Sequence, residues 1–260
     1  MIERVSTAPR PRRGQRKDVA GEFIEAIGDE KLRARLAELL RARPKGLQLI
    51  SAILDYSPFL SRIAGTHPEW LFEALAEVPE LHLARLIDEM SRAAASAEDD
   101  LTIMPALRHA RRRVALLVAL ADLGGLWALH EVTEALTRFA DAAVALATEF
   151  VLRDAHRAGR LFVPDPKNPG KDSRFVLIAM GKHGARELNY SSDIDLIALH
   201  DPVGAHVASG TEPDALFARL TQRLVRLLQS RTDDDYVLRV DLRLRPDPSS
   251  TPPSVPLAAA

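Results

Sequence analysis

The sequence has no cysteine, which excludes disulfide bonds, thiolate zinc sites and a cysteine nucleophile together. It has no apolar run near the length of a membrane span, so no membrane partner is expected. The opening Met1-Ile2-Glu3-Arg4 lacks an apolar segment leading to small residues, so a secretory signal is not expected and a soluble, cytoplasmic protein is the default reading. An excess of one charge is missing too. The 35 Lys and Arg face 36 Asp and Glu, for a net charge of −1, which removes the bulk electrostatic case for a nucleic-acid partner. What is present is ordinary for a globular protein: 47% hydrophobic and 27% charged residues argue against whole-chain disorder, collagen or coiled coil. A length of 260 residues suits one large domain or two modest ones.

Three textures follow one another. Residues 1–20 carry Arg4, Arg10, Arg12, Arg13, Arg16 and Lys17 against Glu3 and Asp18, with little to bury. This predicts a disordered basic tail, with an electrostatic arm for an acidic partner as the alternative. From 21 to 160 the apolar spacing is helical. Leu32, Leu36, Leu39 and Leu40 repeat at three and four, with Asp29 placed as an N-cap and Pro44 stopping the run. Ser57-Pro58 and Thr66-His67-Pro68 read as helix starts, and long helices are expected from about Pro105 to Gly124 and from Leu129 to Arg157. Trp70 and Trp127 fall on these stripes and read as core. From 161 to 260, a turn-rich linker through Pro164, Pro166, Pro169 and Gly170 leads to a continuous apolar run from Arg174 to Gly181, a strand buried on both faces. Further strands are expected at Asp193–Leu199 and Tyr236–Arg245, with a helix from Pro213 to Gln229 between them. The expected class is α+β, an all-helical array followed by a small mixed sheet with helices on one face.

Side chains two apart on a strand share a face. Asp193 and Asp195 therefore project together, and on the third strand so do Arg239, Asp241, Arg243 and Arg245, with Val240, Leu242 and Leu244 opposite. If these strands are neighbours, three carboxylates converge beside guanidinium groups. Such clusters repel unless a cation neutralises them, and Mg²⁺ favours carboxylates combined with substrate phosphates. Arginine forks suit phosphate oxygens. Upstream, a strand, the Gly181-Lys182 turn and a short helix over His183–Leu188 would offer backbone N–H groups to a phosphate. His183 reads as a helix-surface residue. An Asp-x-Asp pair or a glycine turn alone is a weak signal; their order along the chain is the strong one.

That order is similar to the nucleotidyltransferase superfamily of DNA polymerase β and its relatives, apart from Gly181-Lys182, where Gly-Ser or Gly-Gly is usual. The run Met180-Gly-Lys-His-Gly-Ala-Arg-Glu-Leu-Asn-Tyr-Ser-Ser-Asp-Ile-Asp-Leu-Ile197, followed by Val240-Asp-Leu-Arg-Leu-Arg-Pro246 and Pro256-Leu257-Ala258, resembles a narrower family. It is that of the bifunctional glutamine synthetase adenylyltransferase/adenylyl-removing enzymes. Ser57-Pro58-Phe59-Leu60 and the stretch from Arg111 to Gly124 resemble it more loosely. The family often has Gly where Ala179 and Ala185 stand and Leu where His183 stands. The resemblance implies a polymerase β-like domain over 161–260, truncated, in an N-terminal piece of a longer enzyme. It implies metal-dependent phosphorolysis that removes AMP from a tyrosine of glutamine synthetase and releases ADP. Asp193, Asp195 and Asp241 would hold Mg²⁺. Gly181, Lys182 and Ser192 would contact phosphate oxygens, and Arg243 or Arg245 would face the nucleophile or the nucleotide. The implied partners are glutamine synthetase, phosphate, an adenine nucleotide and a PII-type signal protein. Adenylyl transfer from ATP and a non-catalytic docking fragment are the alternatives.

Overall fold

The computed structural model describes residues 1–9 and 18–259. The chain forms two compact units, Met1–Leu86 with Arg112–Ala135, and Ile87–Arg111 with Leu136–Ala260. These groupings differ from the expected division at residue 160, because the long helices run through both. No described helix is long and apolar enough to cross a membrane.

The first unit holds α1 (Val19–Glu25), α2 (Glu30–Leu40), α3 (Pro44–Tyr56), α4 (Pro58–Thr66) and α5 (Pro68–Ala76), with parts of α6 (Pro79–Ser96), α7 (Asp100–Leu123) and α8 (Leu129–Arg157). Asp29 caps α2 by accepting the N–H groups of Lys31 and Leu32 at 2.9 and 3.0 Å. The Ser57 hydroxyl caps α4 through the Leu60 N–H at 3.2 Å. Pro44 opens α3 at its first turn rather than only ending α2. The beginning of the expected tail is built into this unit. Ile2–Arg4 form a 3₁₀ turn, Met1 and Ile2 are buried, and the N–H groups of Ser6 and Thr7 donate to the Gly124 carbonyl at 2.9 and 3.2 Å. Two apolar residues at the very start provide the anchor that the surrounding arginines obscure in the sequence. The rest of the expected tail, residues 10–17 with most of the basic charge, lies outside the described residues. Trp127 is buried as expected, though in the connection after α7, where its indole N–H donates to Glu80 at 2.8 Å. Trp70 is half-buried and stacks on His67 at 3.7 Å.

The second unit adds β1 (Phe175–Met180), α9 (Gly181–Gly184), β2 (Ile194–His200), α10 (Pro213–Gln229), β3 (Val240–Asp241) and β4 (Ser254–Pro256). β1 runs antiparallel to β2, with Phe175 opposite His200 and Met180 opposite Asp195. That pairing fills one edge of β2. The other edge takes β3 at Ile194 and Asp195 and β4 at Ala198–His200, both parallel. The result is the small mixed sheet of an α+β fold. The third strand is far shorter than the expected 236–245. The Arg243 N–H turns back to the Asp241 carboxylate at 2.8 Å, and the Arg245 guanidinium gathers the carbonyls of Leu242, Pro248 and Thr251 at 2.7, 2.9 and 3.3 Å. These bonds curl the chain out of the sheet after Asp241. The helix expected over 183–188 is the single turn α9, and α7 starts five residues ahead of Pro105, which lies inside it.

One face of the sheet is packed: Phe175, Ile194, Leu196, Ala198 and His200 are buried, and Phe217 of α10 stacks on Phe175 and His200 at 5.6 and 4.8 Å. Buried polar groups here are satisfied in chains. His200 shares hydrogen bonds with the Ser254 hydroxyl at 2.7 Å and Asp214 at 2.9 Å, tying β2 to β4 and to α10. Ser254→Ala leaves one imidazole nitrogen buried without a partner, so a loss of about 1–2 kcal/mol is expected. Thermal denaturation should register it as a midpoint about 4 °C lower. Arg108 of α7 is also buried. Its guanidinium donates to the carbonyls of Asp235, Met104 and Leu227 at 2.8, 3.0 and 3.3 Å, and to that of Ser230. It thereby closes the end of α10 and holds the loop that leads to β3.

Candidate active site

β1 carries Val176, Ile178 and Met180 on the face away from the packed side, and their partners in β2 are Leu199, Ile197 and Asp195. Asp195 is in turn the register partner of Asp241, so the two carboxylates leave neighbouring strands on the same side. Asp193, two residues before Asp195, enters on that side as well, while Ile194 and Leu196 are buried beneath. Asp195 and Asp241 are therefore neighbours on the unpacked face although β3 is only two residues long, but among the described residues the three expected acids do not form one group able to hold a metal ion.

The turn after β1 is fitted to Asp195. Gly181 has φ +53°, in the left-handed region, and a Cβ placed there would collide with the Asp195 carboxylate. Both facts demand glycine. Lys182 is exposed beside it, and the Ser192 hydroxyl donates to the Asn189 side chain at 2.8 Å.

The arginines divide sharply. Arg243 grips Asp241 with its Nε at 3.0 and 2.9 Å and a terminal nitrogen at 2.5 Å. This bond holds the Asp241 carboxyl below its ordinary range. The guanidinium is itself held protonated, first by Asp241 and then by the charges of Asp193 and Asp195. All three carboxylates thus act on one cation. Arg239, placed by strand alternation on the face of the acids but given no substrate role, bonds Asp193 and the Ser191 carbonyl. Arg245 is removed from the acids and spends its donors on loop carbonyls.

His183 departs from expectation. It is buried, and its Nε2 meets the Asp141 carboxylate of α8 at 2.8 Å, where Arg186 also binds at 3.1 Å. Within the single turn of α9 only His183 turns inward, while Gly181, Lys182 and Gly184 stay exposed, and its partner is 42 residues earlier in the chain.

Whether these groups suit a divalent ion follows from donor chemistry. Among the described residues no three His, Asp or Glu side chains stand together as a ready-made cage. Asp193 and Asp241 face arginines instead. Asp195 and Asp241 side by side do suit Mg²⁺, which commonly takes one or two carboxylates and completes its shell with water and phosphate oxygens. The competing ion pairs are weak obstacles. The Arg243 and Arg239 side chains are 83% and 46% exposed and free to swing away, although the Asp241 side chain that Arg243 holds is only 15% exposed.

A family profile described as glutamate-ammonia ligase adenylyltransferase matches residues 47–260. Among curated proteins, a relative from Xanthobacter autotrophicus is 48% identical over 228 residues, covering 88% of this chain and 23% of its own length. One from Brucella suis is 43% identical over 240 residues (90% and 24%), and one from Rhodopseudomonas palustris 44% over 245 residues (94% and 24%). Each bears the name bifunctional glutamine synthetase adenylyltransferase/adenylyl-removing enzyme. The chain spans about a quarter of the length of these relatives.

Proposed function

The chain belongs to the glutamate-ammonia ligase adenylyltransferase family, and from that premise we propose that it carries an adenylyl-removing site: phosphorolysis of the AMP–tyrosine linkage on glutamine synthetase, yielding ADP and the free tyrosine. The observation that carries the reading is the pairing of Asp195 with Asp241 on the unpacked face, with Gly181 seated against Asp195.

In this reading Asp195 and Asp241, together with Asp193, would hold Mg²⁺. The ion supplies charge stabilisation to the oxygens entering and leaving the α-phosphorus. The protein's own contributions are distinct. Arg243 and Arg239, on exposed side chains, turn from carboxylates to the incoming phosphate, where a planar guanidinium can bind two oxygens at once. Lys182 adds a third positive group at the turn. The nucleophile is a phosphate oxygen, the α-phosphorus to tyrosine-oxygen bond breaks, and the phenolate leaves to take a proton from water.

The deciding experiment incubates adenylylated glutamine synthetase with phosphate and Mg²⁺, using this chain and one of its full-length relatives in parallel. ADP appearing with restored free tyrosine supports the proposal. Pyrophosphate release from ATP with unmodified synthetase, without any ADP formation from the modified one, would assign the opposite direction. Gly181→Ala provides an internal check. The added methyl group displaces the Asp195 carboxylate, so ADP formation is expected to fall at least about tenfold, while the backbone penalty of roughly 1 kcal/mol leaves the chain folded.

A further inference from the structure

A cavity of about 310 Å³ lies on the packed side of the sheet, lined by residues of α8, the α9 turn, β1 and β2. Leu177 and Leu196 supply apolar wall, and the polar lining comes from Asp141, Thr148, Glu149 and His183. Its size falls at the lower end of small-molecule sites, which combine apolar walls with a few fixed polar groups.

In that lining, the Glu149 carboxylate and one ring nitrogen of His183 have no hydrogen-bond partner among the described residues. The Glu149 carboxylate receives no hydrogen bond or ion pair from any described residue, and burial raises its pKa above the ordinary glutamate range despite the charge of Arg153. Arg153 donates elsewhere, to the Ala94 carbonyl at 2.8 Å. His183 is 3% exposed, and its Nδ1 is buried with no hydrogen-bond partner. A buried polar atom without a partner is costly and calls for an explanation.

The direction of the hydrogen bonds sets the chemistry. His183 Nε2 faces the Asp141 carboxylate, which only accepts, so Nε2 carries a proton and, in the neutral tautomer this bond selects, Nδ1 offers a lone pair. The Thr148 hydroxyl gives its proton to the Val144 carbonyl at 2.7 Å and retains only acceptor capacity. Glu149 and Asp141 are acceptors. The lining is therefore composed of acceptors around a negative charge, and it suits a ligand rich in donors.

We propose that this cavity binds a small organic cation, an amine with an apolar body whose ammonium group reaches Glu149 and His183 Nδ1. The site is separate from the carboxylates of the unpacked face and does not depend on the adenylyl-removing reading.

Calorimetric titration of the 260-residue chain with phenethylamine tests it, with phenylacetate as the anionic counterpart of similar shape. Saturable binding with a Kd below about 1 mM is expected for the amine, and none for the anion. Glu149→Gln is expected to weaken the amine at least about tenfold. That variant removes a desolvated charge and should melt no lower than the parent above the ordinary glutamate range, where the unfolded chain ionises freely and the folded one resists. Ala145→Phe, at an exposed position of the lining, should fill the space and abolish binding without disturbing the core. Failure of the amine to saturate by about 10 mM, equal binding of phenylacetate, or parental affinity in either variant overturns the proposal.

Discussion

Asp195→Asn is expected to lower ADP formation from adenylylated glutamine synthetase at least about a hundredfold, with the thermal midpoint changed by less than about 3 °C. Asparagine keeps the shape that Gly181 accommodates and removes the charge alone. Asp195 occupies the one position common to every feature of the site: opposite Met180 at the end of β1, in register with Asp241, and against the left-handed turn. Of the three acids it is also the one that no arginine among the described residues bonds. Losing its charge therefore removes the strongest free anchor for a divalent ion. Asp193→Asn, measured in parallel, should cost less, because Asp193 already shares its charge with Arg239. Undiminished turnover in Asp195→Asn would falsify the assignment of this face as the catalytic one.

Replacing Arg108 by alanine is the largest stability effect expected, about 3–4 kcal/mol, or a midpoint about 10 °C lower. The side chain is 1% exposed and has no carboxylate bonded to it; its charge rests on four carbonyl oxygens. Burial alone presses its pKa downward. The carbonyls of Leu227 and Ser230 belong to the end of α10, where the helix dipole favours a positive group. Truncation strips them of their donor and opens a cavity at the same time. Arg108→Lys should recover only part of the loss, since one ammonium cannot reach all four acceptors. Equal midpoints for the parent and the alanine variant would show that the carbonyls find water instead.

The sequence disclosed most where a local rule acts alone. The leucine stripe of α10 and its opening proline set that helix at its observed bounds, and Ser57 before Pro58 marked α4 through a hydrogen bond spanning three residues. The acids were legible because a two-residue period on adjacent strands needs no distant information. β3 misled for the same reason. Alternation through Leu244 looked like strand, but side-chain bonds from Arg243 and Arg245 bend the backbone, and composition does not encode which carbonyls they find. His183 was hidden altogether, since its burial depends on Asp141 of a helix far earlier in the chain. β4 lies within a run of prolines and serines whose only sheet-forming hint is Val255. Met1 and Ile2 were masked by the basic residues that follow them.

Because Arg239 and Arg243 bond two of the three carboxylates, this sheet is expected to stay assembled without an inorganic ion. A chelator should then silence turnover while leaving circular dichroism and melting behaviour intact, the reverse of a zinc finger, which collapses when stripped. On the proposed reading, loading and unloading of the ion would then be reversible events on a persistent scaffold.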